Sequence, residues 1–186
     1  MAGPKKAKTT KKAKIKVNVK GKPKKHGFRN FVTAVCFIVF PLIVGLASSA
    51  ITGDAMMSFG RLNQPPLAPP AWLFPVAWTI LYVLMGVASY LIFRLKPETK
   101  EGINLRRAEL VIYIVQLVFN FAWTILFFKF ELRFFAFAWL VFMWLMILAL
   151  IIMSFRNRKA AAWCLMPYLL WCTFAAYLNI MVAVLN

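Results

Sequence analysis

The chain has 186 residues, 62% of them hydrophobic, and sets 23 Lys and Arg against five Asp and Glu. Soluble domains hold roughly 45–50% apolar residues, so most of this chain is built for lipid rather than for a water-facing globule. The three cysteines, Cys36, Cys164 and Cys172, all fall in apolar runs. Such placement suits small buried hydrophobes and fits neither a disulfide framework nor a metal spacing.

Residues 1–29 form a different material. They carry eleven Lys, one Arg and no acidic residue, with almost no large apolar side chain before Phe28. A segment of this kind buries too little surface to offset its ordering entropy, so the sequence predicts a disordered basic tail. Clustered lysines attract phosphate of any origin. Because this tail abuts a membrane span, anionic lipid is the expected partner and nucleic acid is not. The tail is too long for a signal-peptide n-region, and no cleavage pattern follows it. Its His26 is the single histidine of the chain.

Residues 30–186 read as an all-α integral membrane bundle of five transmembrane helices. Phe31 to Ile51 is the first apolar stretch, long enough for a bilayer and interrupted by Pro41 and Gly45. A loop from Thr52 to Ala71 follows, with four of the ten prolines, long for a plain connector. The second span is Trp72 to Leu95. The third is Asn104 to Phe128, with Arg106, Arg107 and Glu109 marking an amphipathic start. The fourth is Phe134 to Phe155 and the fifth Ala160 to Leu185. Counted on alternate sides of these spans, Lys and Arg number 20 on the side of the N-terminus and three on the other. The positive-inside bias therefore predicts a cytoplasmic N-terminus and an Asn186 on the far side.

Ionisable residues inside spans mark proton or ion chemistry, and the span interiors read here as uncharged. No Ser/His/Asp set, zinc-helix motif, CxxC or phosphate loop is present. A proton pump or metal hydrolase is not expected, and the chain reads as a binding protein more than as an enzyme. What the spans do hold is a set of amides and aromatics at helical spacing. Trp78, Tyr82, Gly86 and Ser89 share one face of the second span. Gln116, Asn120, Trp123 and Phe127 share one face of the third, and Trp171, Ala175, Leu178 and Asn179 one face of the fifth. Amides bonded between helices and aromatic packing account for each residue singly. Taken together, three such faces can line an apolar pocket with a few amide groups, the usual make-up of a small-molecule site.

The order of these residues resembles the TspO/MBR family, the tryptophan-rich sensory proteins that include the mitochondrial translocator protein. Three stretches carry the resemblance. The first holds Pro65, Pro69-Pro70, Trp72, Phe74, Trp78-Thr79, Leu81-Tyr82, Met85-Gly86 and Tyr90-Leu91. The others are Gln116 to Phe128 (Q-L-V-F-N-F-A-W-T-I-L-F-F) and Pro167 to Asn179 (P-Y-L-L-W-C-T-F-A-A-Y-L-N). Gln64 stands where the family has Lys, and Pro75-Val76-Ala77 where it has Gly-Pro-Val. The resemblance implies a pocket among five helices that binds porphyrin or other tetrapyrroles, or sterol-like molecules. It implies a sensory or regulatory role; porphyrin or sterol transport and light-dependent porphyrin breakdown are its alternatives. Carried over, its ligand-binding positions are Trp78, Tyr82, Asn120, Phe121, Trp123, Trp171 and Ala175, with Pro65, Pro69 and Pro70 in a loop lid. It further implies a homodimer and no obligatory cofactor, protoporphyrin IX or heme being possible ligands. His26 lies in the tail, so an axial histidine for heme iron is not expected. No Lys or Arg follows Tyr177, so the C-terminal sterol motif of the animal members is absent. The bacterial inner membrane is expected over the mitochondrial outer membrane.

Overall fold

The computed structural model describes residues 27–186, apart from the side chains of residues 54–59. The predicted tail of residues 1–29 thus falls outside the described residues except at its end, where Gly27 already begins the first helix. Five helices follow in order: α1 (Gly27–Phe59), α2 (Leu73–Phe93), α3 (Lys100–Thr124), α4 (Arg133–Asn157) and α5 (Lys159–Leu185). No strand occurs among the described residues. Each helix is long and apolar enough to cross a bilayer. At ~1.5 Å rise per residue, even α2 with its 21 residues covers the ~30 Å of a hydrocarbon core.

The neighbours run α1, α2, α5, α4, α3, and α3 closes the ring on α1. Packing explains this order. The buried residues of α4 include Ala136, Leu140, Met143, Ile147, Leu150 and Ser154, alternating steps of four and three, with Ile151 beside them. Those of α5 include Ala161, Leu165, Tyr168, Cys172, Ala175, Asn179 and Val182, with the same alternation. Seams with this repeat interlock along their whole length, and α4 against α5 is the most extensive interface of the bundle. α1 and α2 meet through glycine instead. A Cβ on Gly86 would stand 2.5 Å from the Ile38 Cα and 2.7 Å from the Phe37 carbonyl oxygen. Only a missing side chain permits this backbone approach, the small-residue packing that lipid-embedded helices use.

Three features depart from the sequence reading. α1 does not stop near Ile51 but continues to Phe59, passing through Pro41 and Gly45, so the expected loop from Thr52 shrinks by eight residues. Thr52 is buried and donates its hydroxyl to the Ser48 carbonyl (2.9 Å). After Thr124 the backbone widens into one π-helical turn, Ile125–Lys129, closed by the Phe130 N–H on the Ile125 carbonyl (3.0 Å). The third departure is a charge. α3 begins at Lys100, which makes Glu109 part of the bundle interior; its side chain is fully buried. Ser154 Oγ and Asn157 Nδ2 on α4 each donate to its carboxylate at 3.0 Å. The sequence sets Glu109 at the amphipathic start of the third span; what it does not show is that the side chain is buried against α4, which supplies two of the donors a buried carboxyl needs.

Candidate functional site

A cavity of about 400 Å³ opens between α1, α2, the α3–π junction and α5. α4 contributes nothing to it. Its walls are aromatic because helical spacing stacks the rings. Trp78 and Tyr82, one turn apart, stack at 5.5 Å with 30° between planes. Trp123 and Phe127 do the same at 5.5 Å and 17°, and Trp78 brings the two pairs together at 6.5 Å from Trp123. Phe74 meets Trp171 edge-on at 6.1 Å. Through the π turn, Thr124, Phe127 and Phe128 all reach the lining; such turns re-aim side chains that a regular helix would spread around its circumference. Gly45 of α1 completes the wall. A Cβ there would lie 2.2 Å from Tyr82 Cε2, so the tyrosine ring rests on the α1 backbone.

Of the residues singled out from sequence, Trp78, Tyr82, Trp123, Trp171 and Ala175 are brought together in the lining. Asn120 is not. It is 1% exposed and sits behind the wall, where its Oδ1 accepts from Tyr82 Oη (2.8 Å) and its Nδ2 donates to Tyr168 Oη (3.2 Å). Tyr168 Oη in turn donates to Gln116 Oε1 (2.8 Å). Phe121 is half-buried and lies outside the lining, being one residue on from Asn120 and so turned about 100° away. Pro65, Pro69 and Pro70 are also outside it. Their loop is held at the end of α5 instead. Tyr177 Oη donates to the Pro66 carbonyl (2.7 Å), and Asn63 and Asn186 exchange backbone and amide hydrogen bonds at 2.9 and 3.1 Å. A turn closes from the Ala68 N–H to the Pro65 carbonyl (3.1 Å), with Leu67 at φ 68°. That left-handed position normally favours glycine.

The profile of the TspO/MBR family matches residues 37–185. This chain belongs to the TspO/MBR family. It is similar to the tryptophan-rich protein TspO of Chlorobaculum tepidum, with 32% identity over 162 residues, 85% of this chain and 98% of that protein. The translocator protein of Ovis aries is 37% identical over 152 residues, 80% of this chain and 87% of that protein. The tryptophan-rich sensory protein of Cereibacter sphaeroides is 35% identical over 121 residues, 65% and 72% of the two chains. Like its family, the chain is a multi-pass integral membrane protein, and its five helices are the spans.

Sequence reasoning missed part of the TspO/MBR cavity. It drew on the second, third and fifth spans, whereas Leu42, Gly45 and Ser48 make α1 a fourth wall. Gly45 was visible as an irregularity in the span, but its partner Tyr82 lies 37 residues on. Asn179, expected on the α5 face, does line the cavity. The amide orientation that satisfies its surroundings accepts the Trp123 indole N–H at 3.1 Å and donates to the Arg133 carbonyl at 2.8 Å. This residue therefore fixes the Trp123 ring. Chemically the site offers flat apolar contact and a few hydroxyl oxygens. Among the described residues no cluster of His, Cys, Asp or Glu could hold a metal.

Proposed function

We propose that this TspO/MBR protein binds a porphyrin or related tetrapyrrole in the cavity between α1, α2, α3 and α5, and that occupancy serves a sensory or regulatory role. The observation that carries the reading is the aromatic lining, with Trp78, Trp123 and Trp171 around one space of about 400 Å³. Small-molecule sites measure roughly 300–1,000 Å³ and are mostly apolar with a few polar groups. Aromatic pairs add about 0.5–1.5 kcal/mol beyond the area they bury, so a fused or macrocyclic π-system is favoured over an aliphatic one of equal size. In this reading the N-terminus is cytoplasmic, by the 20-to-three division of Lys and Arg, and the protein works as a homodimer in the bacterial inner membrane.

Titrating purified protein with protoporphyrin IX while following tryptophan fluorescence tests the binding. Saturable quenching that weakens in Trp171→Ala is expected; linear, variant-independent quenching contradicts it. A reporter fused after Asn186 should be inactive if it needs the cytoplasm. A transport role is the second reading, favoured by the name translocator protein borne by the Ovis aries relative. Protein-dependent movement of protoporphyrin between vesicles would select it.

A further inference from the structure

Polar atoms buried without a partner mark a second place in the bundle, apart from the ligand cavity. Among the described residues there are three on side chains: Arg106 Nε, Tyr113 Oη and Gln116 Nε2. All belong to α3, and with Glu109 between them they follow steps of three, four and three along its inner face. Arg106 reaches the Leu95 carbonyl through Nη1 (2.7 Å) and has no partner for Nε. Tyr113 is 2% exposed. Ser89 on α2 stands beside it, gives its own proton to the Gly86 carbonyl (2.9 Å), and closes no hydrogen bond to Tyr113. Gln116 meets Tyr168 Oη with one end of its amide (2.8 Å) and nothing with the other. Turning the amide over exchanges the atoms but not the places, so a buried polar atom faces that spot in either orientation.

Leaving a buried donor or acceptor unbonded costs more than a typical hydrogen bond returns. Three such atoms in one line on one helix call for a shared occupant, and the neighbours define its chemistry. Arg106 Nε can only donate, whereas Tyr113 Oη can donate and accept. Arg106 repels a cation and the Glu109 carboxylate an anion, so the occupant is neutral and able to do both. It is also small: this half of the bundle buries Ala88 and Ser89 on α2, Ser154 on α4 and Ala161 on α5. Water meets each condition. Arg106 and Asn157 are part-exposed at the basic end of the helices, where water can enter.

We infer that α3 carries a file of bound waters along its inner face, entered at Arg106 and running past Glu109 and Tyr113 to Gln116, behind the cavity wall. From Arg106 to Gln116 the helix rises about 15 Å, at ~1.5 Å per residue. The file satisfies polar groups that lipid cannot and puts the Glu109 carboxyl in contact with solvent on the basic side. It is separate from the ligand cavity, and its occupancy does not depend on what the cavity binds.

Radiolytic hydroxyl labelling of the full-length protein in detergent, read residue by residue by mass spectrometry, tests this, because the radicals arise from water at the labelled side chain. Tyr168 is the control of equal reactivity, fully buried with its hydroxyl closed by Asn120 and Gln116. Tyr113 should be labelled several-fold faster than Tyr168. Labelling no faster than Tyr168 would overturn the inference. Stability gives an independent sign. If water bonds the Tyr113 hydroxyl, Tyr113→Phe loses that bond and Tm falls by about 1–6 °C. An unbonded hydroxyl is better removed, so an equal or higher Tm would overturn the inference as well. Glu109→Leu sets an apolar side chain between Arg106 and Tyr113 and should bring Tyr113 labelling down to the Tyr168 rate. Undiminished labelling in that variant would overturn entry at Arg106. The wild-type comparison and Tyr113→Phe decide the matter if Glu109→Leu does not fold.

Discussion

Gly86→Ala adds one methyl group to a buried helix position, a change that on propensity alone favours the helix by up to ~1 kcal/mol. Here the geometry reverses the sign. The new Cβ would fall 2.5 Å from Ile38 Cα and 2.7 Å from the Phe37 carbonyl oxygen, whereas carbon atoms in contact sit ~3.5–4.0 Å apart. Both obstacles are backbone atoms, so no rotamer change relieves them and α1 must move off α2 by about 1 Å. Overpacking of this kind costs about 1–3 kcal/mol, a Tm loss of about 2–4 °C for each kcal/mol in a chain of this size. The matched control is Gly53→Ala on the same α1, where an added Cβ meets nothing within 4 Å. That change should leave Tm unaltered or raise it. Thermal unfolding of the three proteins in one detergent decides the matter. Equal Tm for the two alanine variants would refute the claim that α1 and α2 touch through Gly86.

Trp171→Ala should weaken protoporphyrin IX binding about five- to 150-fold, the loss of ~1–3 kcal/mol expected for a buried aromatic anchor. Trp144→Phe should leave affinity unchanged, since its indole N–H bonds to Thr173 (2.8 Å) between α4 and α5 and away from the cavity. Glu109→Ala strands the Ser154 and Asn157 donors and should destabilise the fold by about 1–3 kcal/mol; Glu109→Gln, which keeps one acceptor, should cost less in the same thermal assay. Removing residues 1–26 should leave ligand affinity unchanged in purified protein, because the described residues that line the cavity all lie on helices that begin after them.

Much of the bundle was legible because its signals are local. Charges fall between apolar runs, and the face of Gln116, Asn120, Trp123 and Phe127, read from spacing of three and four, is buried throughout. What was not legible depends on partners far along the chain. Glu109 beside Arg106 and Arg107 reads as an interfacial charge, and only Ser154 and Asn157, 45 and 48 residues on, make its burial tolerable. Asn120 reads as a pocket amide because its face is right. Its depth is set by Tyr168 on α5, which draws the amide behind the wall. The π turn after Thr124 leaves no mark in a run of Ile, Leu and Phe, and Leu67 occupies a left-handed position that sequence patterns reserve for glycine.

A structure of the protein determined with bound protoporphyrin IX tests the central claim most directly. The macrocycle is predicted between α1, α2, α3 and α5, in van der Waals contact with the rings of Trp78 and Trp171. A macrocycle bound on the lipid-facing side of α4, or along the basic ends of the helices with the cavity walls unchanged, would contradict the account.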